Sequence, residues 1–154
     1  MKQKYKLTDE TILFYCRTLH RIECITSFGD VEEGEKGGFV ESESNLSQDG
    51  DAWVFGDAKV CGHAKVFDDA WVYGNAKVYD NALVYGNAKV CDNAKVYGNA
   101  WVCGNAEVYD NAWVYENAEV YENAEVRGNA EVYCNTKVFG SVTIREDVTR
   151  DSPN

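Results

Sequence analysis

The chain has 154 residues, which suits a single domain, and it carries 26 acidic against 15 basic side chains, for a formal net charge of −11. An acidic surface disfavours non-specific attraction to nucleic acid or to an anionic membrane, so we expect neither as a partner. The first residues lack the apolar run of a signal peptide and no eighteen apolar residues occur together, so we expect a soluble cytoplasmic protein.

The cysteines and histidines predict no cofactor and no metal site. Six cysteines and two histidines include no CxxC pair and no Cys/His cluster with the spacing that zinc requires. Cys61, Cys91 and Cys103 occupy equivalent outward slots on three different faces of the repeat described below, which is too dispersed for easy bridging. We therefore expect reduced thiols, in keeping with a cytoplasmic location.

Residues 1–37 do not follow the repeat that fills the rest of the chain, and we expect them to form an N-terminal β-rich cap. Lys4–Thr8 has the pattern of a strand, and two apolar clusters lie within Thr11–Ile25. A hairpin is the first choice for these clusters, and a helix is the weaker alternative because Glu23 would interrupt its apolar face. The glycine-rich and acidic stretch Asp30–Gly38 is then a loop that enters the repeat.

One six-residue phrase recurs fourteen times between Asp51 and Thr136 without a slip in register. Its pattern is Ala-x-Val-x-Gly/Asp/Glu-Asn. The alternation of Ala and Val with larger or charged residues has a period of two, which predicts a short strand with Ala and Val facing inward. The pair that ends each phrase is typical of a turn, because Gly and Asn tolerate positive φ. Strands and corners at a fixed spacing of six predict a coil whose turns stack on one core.

This phrase resembles the hexapeptide repeat of left-handed parallel β-helices, in which three hexads make one triangular turn. The resemblance implies an all-β fold, a single-stranded left-handed parallel β-helix over residues 38–148, with the valines and alanines as its inward residues. One departure is consistent, since the residue after each valine of the repeat is mostly Tyr, Phe or Cys where the family has a small residue.

The hexad register can be extended beyond the repeat at both ends. Val40 and Leu46 fall in the alanine slot going back, and Thr136, Val142 and Val148 fall in it going forward. The total of about nineteen hexads makes roughly six coils, or a prism near 30 Å long. We expect residues 149–154 to form a flexible tail.

Residues eighteen apart stack on one face, so outward side chains form rows along the helix. One face carries a lysine row beside a tyrosine row, namely Lys59, Lys77 and Lys95 with Tyr79, Tyr97 and Tyr115. Such a surface fits an anion with a flat ring, such as a nucleotide. The alternative is that the lysines only keep an exposed sheet soluble and lay their stems over the tyrosines.

Tryptophans add to these outer rows, with Trp53 and Trp71 on a second face and Trp113 on the lysine face. Aromatic ladders stabilise a sheet by cross-strand packing and need no ligand. Exposed aromatic side chains are equally the anchors that protein interfaces use. We therefore assign the lysine, tyrosine and tryptophan rows as the candidate binding residues, with a protein as the expected partner.

Charge is also separated along the axis. Five lysines lie between Ala52 and Ala106, and six glutamates lie between Glu107 and Glu131. This separation predicts a homo-oligomer that assembles side by side in an antiparallel manner or head to tail. A trimer, as in the transferases of this fold, is the other possibility.

Acyl transfer is the enzymatic function that the resemblance implies, because hexapeptide β-helices are best known as acyltransferases with a histidine base and an extruded loop. Here His63 replaces a corner asparagine and His20 lies in the leader, neither with a carboxylate at a motif spacing. The unbroken register of the repeat leaves no extruded loop. We keep a degenerate acyltransferase as the alternative and assign no catalytic residue.

The leader carries a narrower resemblance. The stretches Leu19–Ile22, Gly37–Glu41 and Asn45–Ser47 resemble the leader of hexapeptide-repeat proteins from bacteria and their phages, a group with no established activity. We predict a non-enzymatic binding or scaffold protein that uses its outer rows. A phage-encoded inhibitor of a host defence protein, or an agent that sequesters a nucleotide signal, is the specific hypothesis.

Overall fold

The structure is a computed structural model that describes residues 3–146. Three longer strands come first, β1 (Tyr5–Phe14), β2 (Arg17–Cys24) and β3 (Lys36–Val40), followed by a turn of 3-10 helix at Glu43–Asn45. Two-residue strands make up the rest. They are β4 (Trp53–Val54), β5 (Lys59–Val60), β6 (Lys65–Val66), β7 (Trp71–Val72), β8 (Lys77–Val78), β9 (Leu83–Val84), β10 (Lys89–Val90), β11 (Lys95–Val96), β12 (Trp101–Val102), β13 (Glu107–Val108), β14 (Trp113–Val114), β15 (Glu119–Val120), β16 (Glu125–Val126), β17 (Glu131–Val132), β18 (Lys137–Val138) and β19 (Thr143–Ile144).

The short strands form three parallel sheets, because each turn of the chain adds one strand to each of three faces. Face 1 contains β3, β5, β8, β11, β14 and β17; face 2 contains β4, β7, β10, β13, β16 and β19; face 3 contains β6, β9, β12, β15 and β18. Within the repeat the paired residues are eighteen apart, as for Lys77 and Lys95. The prediction of an all-β fold of parallel stacked coils, about six in number, is confirmed.

The core is a narrow stack of alanine and valine. Each alanine from Ala52 to Ala130 and each valine from Val54 to Val132 in the repeat is fully buried. Backbone hydrogen bonds join the coils, and Lys77 N–H donating to Ala94 O at 3.0 Å is typical of them. A single hexad could not bury its apolar face alone, so the stability of each coil depends on its neighbours.

The corners take positive φ at the residue before asparagine and not at asparagine itself. This slot holds glycine, aspartate or glutamate, and Asp80 has a φ of 60°. An acidic residue there makes a bond that glycine cannot, because the Asp80 Oδ2 accepts the Gly98 N–H of the next coil at 3.0 Å. The carboxylate therefore satisfies a backbone donor that the corner leaves outside the sheets.

The predicted extension of the hexad register toward the N-terminus is wrong in the first coil. Val40 pairs with Val60, and Leu46 forms a bridge with Val66, so both occupy the valine slot and not the alanine slot. The physical reason is a corner two residues longer than the others between Leu46 and Ala52, where Gly50 takes a φ of 72°. Spacing alone cannot detect such an insertion, since an apolar residue fits either inward slot.

The forward extension holds as far as the structure describes it. Thr136 is fully buried in an alanine slot, and Val142 O accepts the Glu125 N–H at 2.9 Å, as the alanine carbonyls do elsewhere. Val148 and the predicted tail at residues 149–154 lie outside the described residues.

The leader forms a hairpin, which confirms the first choice over a helix. Strands β1 and β2 pair antiparallel across a turn at Tyr15 and Cys16, and β2 pairs antiparallel with β3, so the hairpin extends face 1. Arg17 holds the hairpin tip to the first coil through a forked ion pair with the carboxylate of Glu41, at 2.9 and 3.0 Å. The hairpin thereby covers an edge that would otherwise be open to strand pairing.

Buried polar groups hold the start of β1 against the first coil. The Lys4 Nζ donates to Ala52 O at 2.7 Å and lies 4.5 Å from the ring centre of Phe28. Burial lowers the pKa of Lys4 to about 8, with nearby aspartates opposing the shift. The Tyr5 hydroxyl donates to the carbonyl oxygen of Leu46. The cap is therefore attached to the helix by specific hydrogen bonds as well as by apolar contact.

All six cysteines are free, as predicted. Cys91 and Cys103 lie half-buried on faces 2 and 3, but Cys61 on face 1 is buried with Leu19 and Phe39 beneath the hairpin. Cys61 therefore occupies the predicted outward slot, but the leader folds over that slot and buries the side chain. Burial raises the pKa of its thiol to about 11.

Candidate protein-binding surface

The tyrosine row of face 1 is a continuous stack of rings. Centroid distances are 4.9 Å from Tyr79 to Tyr97, 4.9 Å from Tyr97 to Tyr115 and 5.2 Å from Tyr115 to Tyr133, with planes within 10° of parallel. The parallel register of the sheet sets this spacing, because the tyrosines occupy the same position of the hexad in successive coils. The ring faces therefore contact one another, and the partner-facing part of the row consists of ring edges and hydroxyl groups.

The hairpin tip continues this row beyond its first member. Tyr15 lies 5.7 Å from Tyr79 in an edge-to-face arrangement, and Phe14 makes a similar contact at 6.2 Å. Leu13 and Tyr15 are 79% and 61% exposed. We name the surface formed by Tyr15, Tyr79, Tyr97, Tyr115 and Tyr133 the aromatic ridge.

The pKa values of the ridge tyrosines show how far the rings are withdrawn from water. Burial raises the pKa of Tyr79, and the nearby Tyr15 and Tyr97 add to the shift. Burial also raises the pKa of Tyr115, whose hydroxyl donates to Glu131 Oε1 at 2.9 Å. These phenols stay neutral at physiological pH, and the Tyr115 hydroxyl gives its single hydrogen to Glu131.

The lysine row is on face 1 as predicted, but its ammonium groups do not converge on the tyrosines. Lys59 Nζ donates to Asp57 O at 3.1 Å, and Lys77 Nζ donates to Asn75 O at 3.4 Å. Both carbonyls precede their strand, whereas the tyrosines follow theirs. Lys95 lies 4.7 Å from the ring centre of Trp113. Lys77 and Lys95 therefore border the face on the side away from the tyrosines, whereas the Lys59 ammonium group also lies 6.0 Å from the ring centre of Phe14 at the hairpin tip.

Three lysines in adjacent coils repel one another, as the electrostatics of Lys77 show. Burial lowers its pKa, and Lys59 and Lys95 lower it further. An acidic group placed above the row would relieve this repulsion. Face 1 therefore presents an apolar ridge with a positive border.

The tryptophans divide into exposed and buried positions. Trp113 is half-buried on face 1, where its ring lies edge-to-face with Tyr97 at 6.3 Å. Trp71 is half-buried on face 2, under the ammonium group of Lys89 at 5.5 Å. Neither belongs to the aromatic ridge itself.

The prediction that Trp53 is an exposed binding residue is wrong, because its side chain is fully buried. Phe28 packs against it at 5.3 Å and Tyr5 at 6.1 Å, both edge-to-face. The N-terminal segment folds over the first coil of face 2, so Trp53 joins the core between cap and helix. It cannot contact a partner in this structure.

Sequence reasoning missed that Phe14 and Tyr15 lie against the surface. Their apolar cluster was visible, but its meeting with Tyr79 depends on the hairpin reaching over the third coil of face 1. Aromatic residues beside the turn of a predicted hairpin were the available signal.

The histidines are placed in different settings. His20 is half-buried in the hairpin, where its Nδ1 lies 3.0 Å from Thr8 O, and His63 is exposed at a corner. Neither ring forms a hydrogen bond with a carboxylate among residues 3–146. The same residues contain no group of three or more His, Cys, Asp or Glu side chains that could hold a metal ion. No helix in this described part is long and apolar enough to cross a membrane.

Comparison with known proteins supports the repeat architecture. A family model described as the YdcK beta solenoid repeat matches residues 76–91. The chain is a repeat β-helix. No curated protein matches it. The matched segment covers the strands β8, β9 and β10, one on each face, so it corresponds to about one coil and carries no residue of the cap.

Proposed function

We propose that the protein is a non-enzymatic binding scaffold whose face 1 docks a partner protein. The aromatic ridge is the observation that carries this proposal. Protein interfaces are enriched in tyrosine near the centre of the contact, with charged residues at the rim. Face 1 has the same arrangement, with the ridge beside the border formed by Lys59, Lys77 and Lys95.

The stacking of the rings favours tight binding for an entropic reason. A side chain that becomes ordered on binding costs about 0.5–1.5 kcal/mol. The ridge tyrosines are already held by ring contacts at 4.9–5.2 Å, so much of this cost has been met before a partner arrives. The β-helix adds a rigid support, because each coil is hydrogen-bonded to the next. The expected partner presents apolar groups to the ridge and acidic groups to the lysines.

A nucleotide ligand is the second candidate, favoured by the electrostatic crowding at Lys77. The geometry supports it less well than a protein. The tyrosine faces are covered by one another, leaving no gap for a flat ring, and the Lys77 ammonium group leans away from Tyr79. Inhibition of a host defence protein by a phage protein is one specific form of the scaffold function. It rests on the resemblance of the leader and stays a prediction, as does the cytoplasmic location.

Comparative affinity capture tests the scaffold function. The wild type is compared with Tyr15→Ser/Tyr97→Ser on the ridge and with Tyr109→Ser on face 2 as the matched control. We expect proteins that bind the wild type and the control but are lost with the ridge variant. An identical set of captured proteins for all three baits would contradict docking at face 1.

A thermal-shift panel separates the remaining candidates, because a ligand that binds only the folded state raises the Tm. A shift with nucleotides that Lys77→Met abolishes would replace the protein partner with an anion. A shift with acyl-CoA that His63→Ala or His20→Ala abolishes would favour the acyltransferase alternative. No shift with either class is the result expected for a protein-binding scaffold.

A further inference from the structure

Face 3 carries an outward row whose charged members have no partner among the described residues. The row reads, from the second coil to the last, Lys65, Leu83, Trp101, Glu119 and Lys137. Among residues 3–146 the side chains of Lys65, Glu119 and Lys137 form no ion pair and no hydrogen bond. Trp101 is 41% exposed in the middle of the row.

The other two faces differ in ways that matter for flat packing. On face 1 the hairpin tip overlies Tyr79, so that face is not flat. On face 2 most of the outward charges are engaged within residues 3–146, although Glu107 forms no ion pair or hydrogen bond there. Arg127 lies 3.5 Å from Asp110, and the Glu125 carboxylate accepts the Tyr109 hydroxyl at 2.8 Å. Face 3 is therefore the flat face whose charges lack partners in the described part of the chain.

The row on face 3 is complementary in charge to the same row on a second copy that runs in the opposite direction. Consider a second copy that faces this row with its helix axis antiparallel, related by a two-fold axis that passes between the levels of Leu83 and Trp101. Leu83 of each copy then lies opposite Trp101 of the other copy. The same operation places Lys65 opposite Glu119 twice. A two-fold axis in the plane of the interface produces such reciprocal pairs.

The same two-fold rotation also pairs the second outward row of face 3 with its copy. It reads Phe67, Tyr85, Cys103, Tyr121 and Phe139. Phe67 stacks on Tyr85 at 4.8 Å, and Tyr121 stacks on Phe139 at 5.3 Å, so an aromatic pair lies near each end. In the reversed copy the Tyr121–Phe139 pair lies over the first coils.

A groove lies where that reversal places Phe139. It has a volume of about 410 Å³ and is lined by Glu43, Leu46, Ser47, Lys65 and Phe67, among others. Phe139, at the opposite end of face 3, is 45% exposed. Lys137 of the second copy would then lie near the carboxylate of Glu43.

We propose that two copies of this chain form an antiparallel, side-by-side dimer through face 3. Trp101 and Leu83 form its centre, Lys65 and Glu119 form reciprocal ion pairs, and Phe139 enters the groove of the partner copy. A dimer with parallel axes would instead keep Lys65 level with Lys65 and Glu119 level with Glu119, so it could not form the Lys65–Glu119 pairs. This dimer uses a different face from the aromatic ridge, so it stands or falls independently of the proposed function.

The size of the face determines how strong the dimer is. Six coils at about 4.8 Å, each about 13 Å wide at the outward rows, give roughly 400 Å² per copy. Specific stable interfaces bury about 800 Å² per partner, so the dimer is weak and depends on concentration. We expect dissociation constants in the micromolar range, about 10 to 100 μM.

Charge exchange tests the proposal by sedimentation velocity between about 1 and 500 μM, a range that spans the affinity of small interfaces. Lys65→Glu and Glu119→Lys should each weaken self-association at least tenfold. An equimolar mixture of the two variants should dimerise, as should the double variant Lys65→Glu/Glu119→Lys. The two positions lie three coils, about 14 Å, apart within one copy, so the exchange cannot be explained by an intramolecular pair.

Trp101→Ala provides a second measurement that does not depend on charge. We expect at least a tenfold loss of self-association, whereas Trp113→Ala on face 1, the matched control, should leave it unchanged. Circular dichroism of each variant verifies that it is folded. A monomer at the highest concentration, a trimer, a dimer insensitive to Trp101→Ala, or a failure of the mixed variants to pair would overturn the proposal.

Discussion

Asp110 shows why the repeat alternates glycine with an acidic residue at its corners. It has a φ of 60°, and its Oδ2 accepts the Gly128 N–H at 2.9 Å while lying 3.5 Å from Arg127 Nε. A hydrogen bond to a charged group contributes about 1.5–3 kcal/mol, and we take about 1 kcal/mol because the side chain is 36% exposed. Aspartate and alanine both bear a Cβ, so both carry strain of about 1 kcal/mol at this positive φ, which glycine avoids.

Asp110→Ala loses the hydrogen bond and keeps the strain, so it should lower the free energy of unfolding by about 1 kcal/mol, equivalent to a fall in Tm of about 2–4 °C. Asp110→Gly should cost less than about 0.5 kcal/mol, because relief at positive φ offsets the lost hydrogen bond. Urea unfolding followed by circular dichroism measures both, with Glu107→Ala as a control for the lost charge. Equal costs for alanine and glycine would refute the role assigned to φ.

Three further predictions concern the core, the cap and alkaline pH. Val96→Ala removes two fully buried methyl groups and should cost about 2–3 kcal/mol of stability in urea unfolding, whereas the outward Lys95→Ala should cost under about 0.5 kcal/mol. Lys4→Met leaves two carbonyls without their donor and should speed amide hydrogen exchange in β1, which the exposed control Lys6→Met should not do; equal exchange in both variants would argue against this anchor. The pKa of Tyr79 is raised by burial, so above about pH 10 the unfolded state loses a proton that the folded state keeps, and stability should fall as pH rises; phenolate absorbance of the folded protein rising fully near pH 10 would contradict this.

The fold of the repeat could be predicted from the sequence because every hexad has the same pattern of inward and outward residues. Ala and Val at a period of two give inward faces, and the fixed spacing gives parallel register. The first coil could not be placed, since Val40 and Leu46 satisfy an apolar slot in either register. Only their partners Val60 and Val66 reveal the longer corner.

The candidate surface was less predictable, because it depends on where the non-repetitive leader folds. Trp53 and Trp71 occupy the same slot of adjacent coils, yet Trp53 is fully buried and Trp71 is only half-buried. The difference comes from Phe28 and Tyr5, which pack over the first coil. A repeat pattern predicts which side chains leave the core, but it does not predict which of them another segment will cover.

The three faces differ in their suitability for binding a partner, because their outward side chains make different contacts within the chain. On face 2 several charges are engaged within the described residues, as with Arg127 and Asp110. Face 1 is reshaped by the hairpin, which adds Tyr15 to the tyrosine stack and excludes a flat neighbour. Face 3 stays flat, and Lys65 and Glu119 have no ion pair within residues 3–146. If both proposals hold, a dimer through face 3 leaves two aromatic ridges free. Because the copies are antiparallel, the ridges would run in opposite directions, so the dimer would bind two partner molecules and gain affinity for any partner that is itself two-fold symmetric.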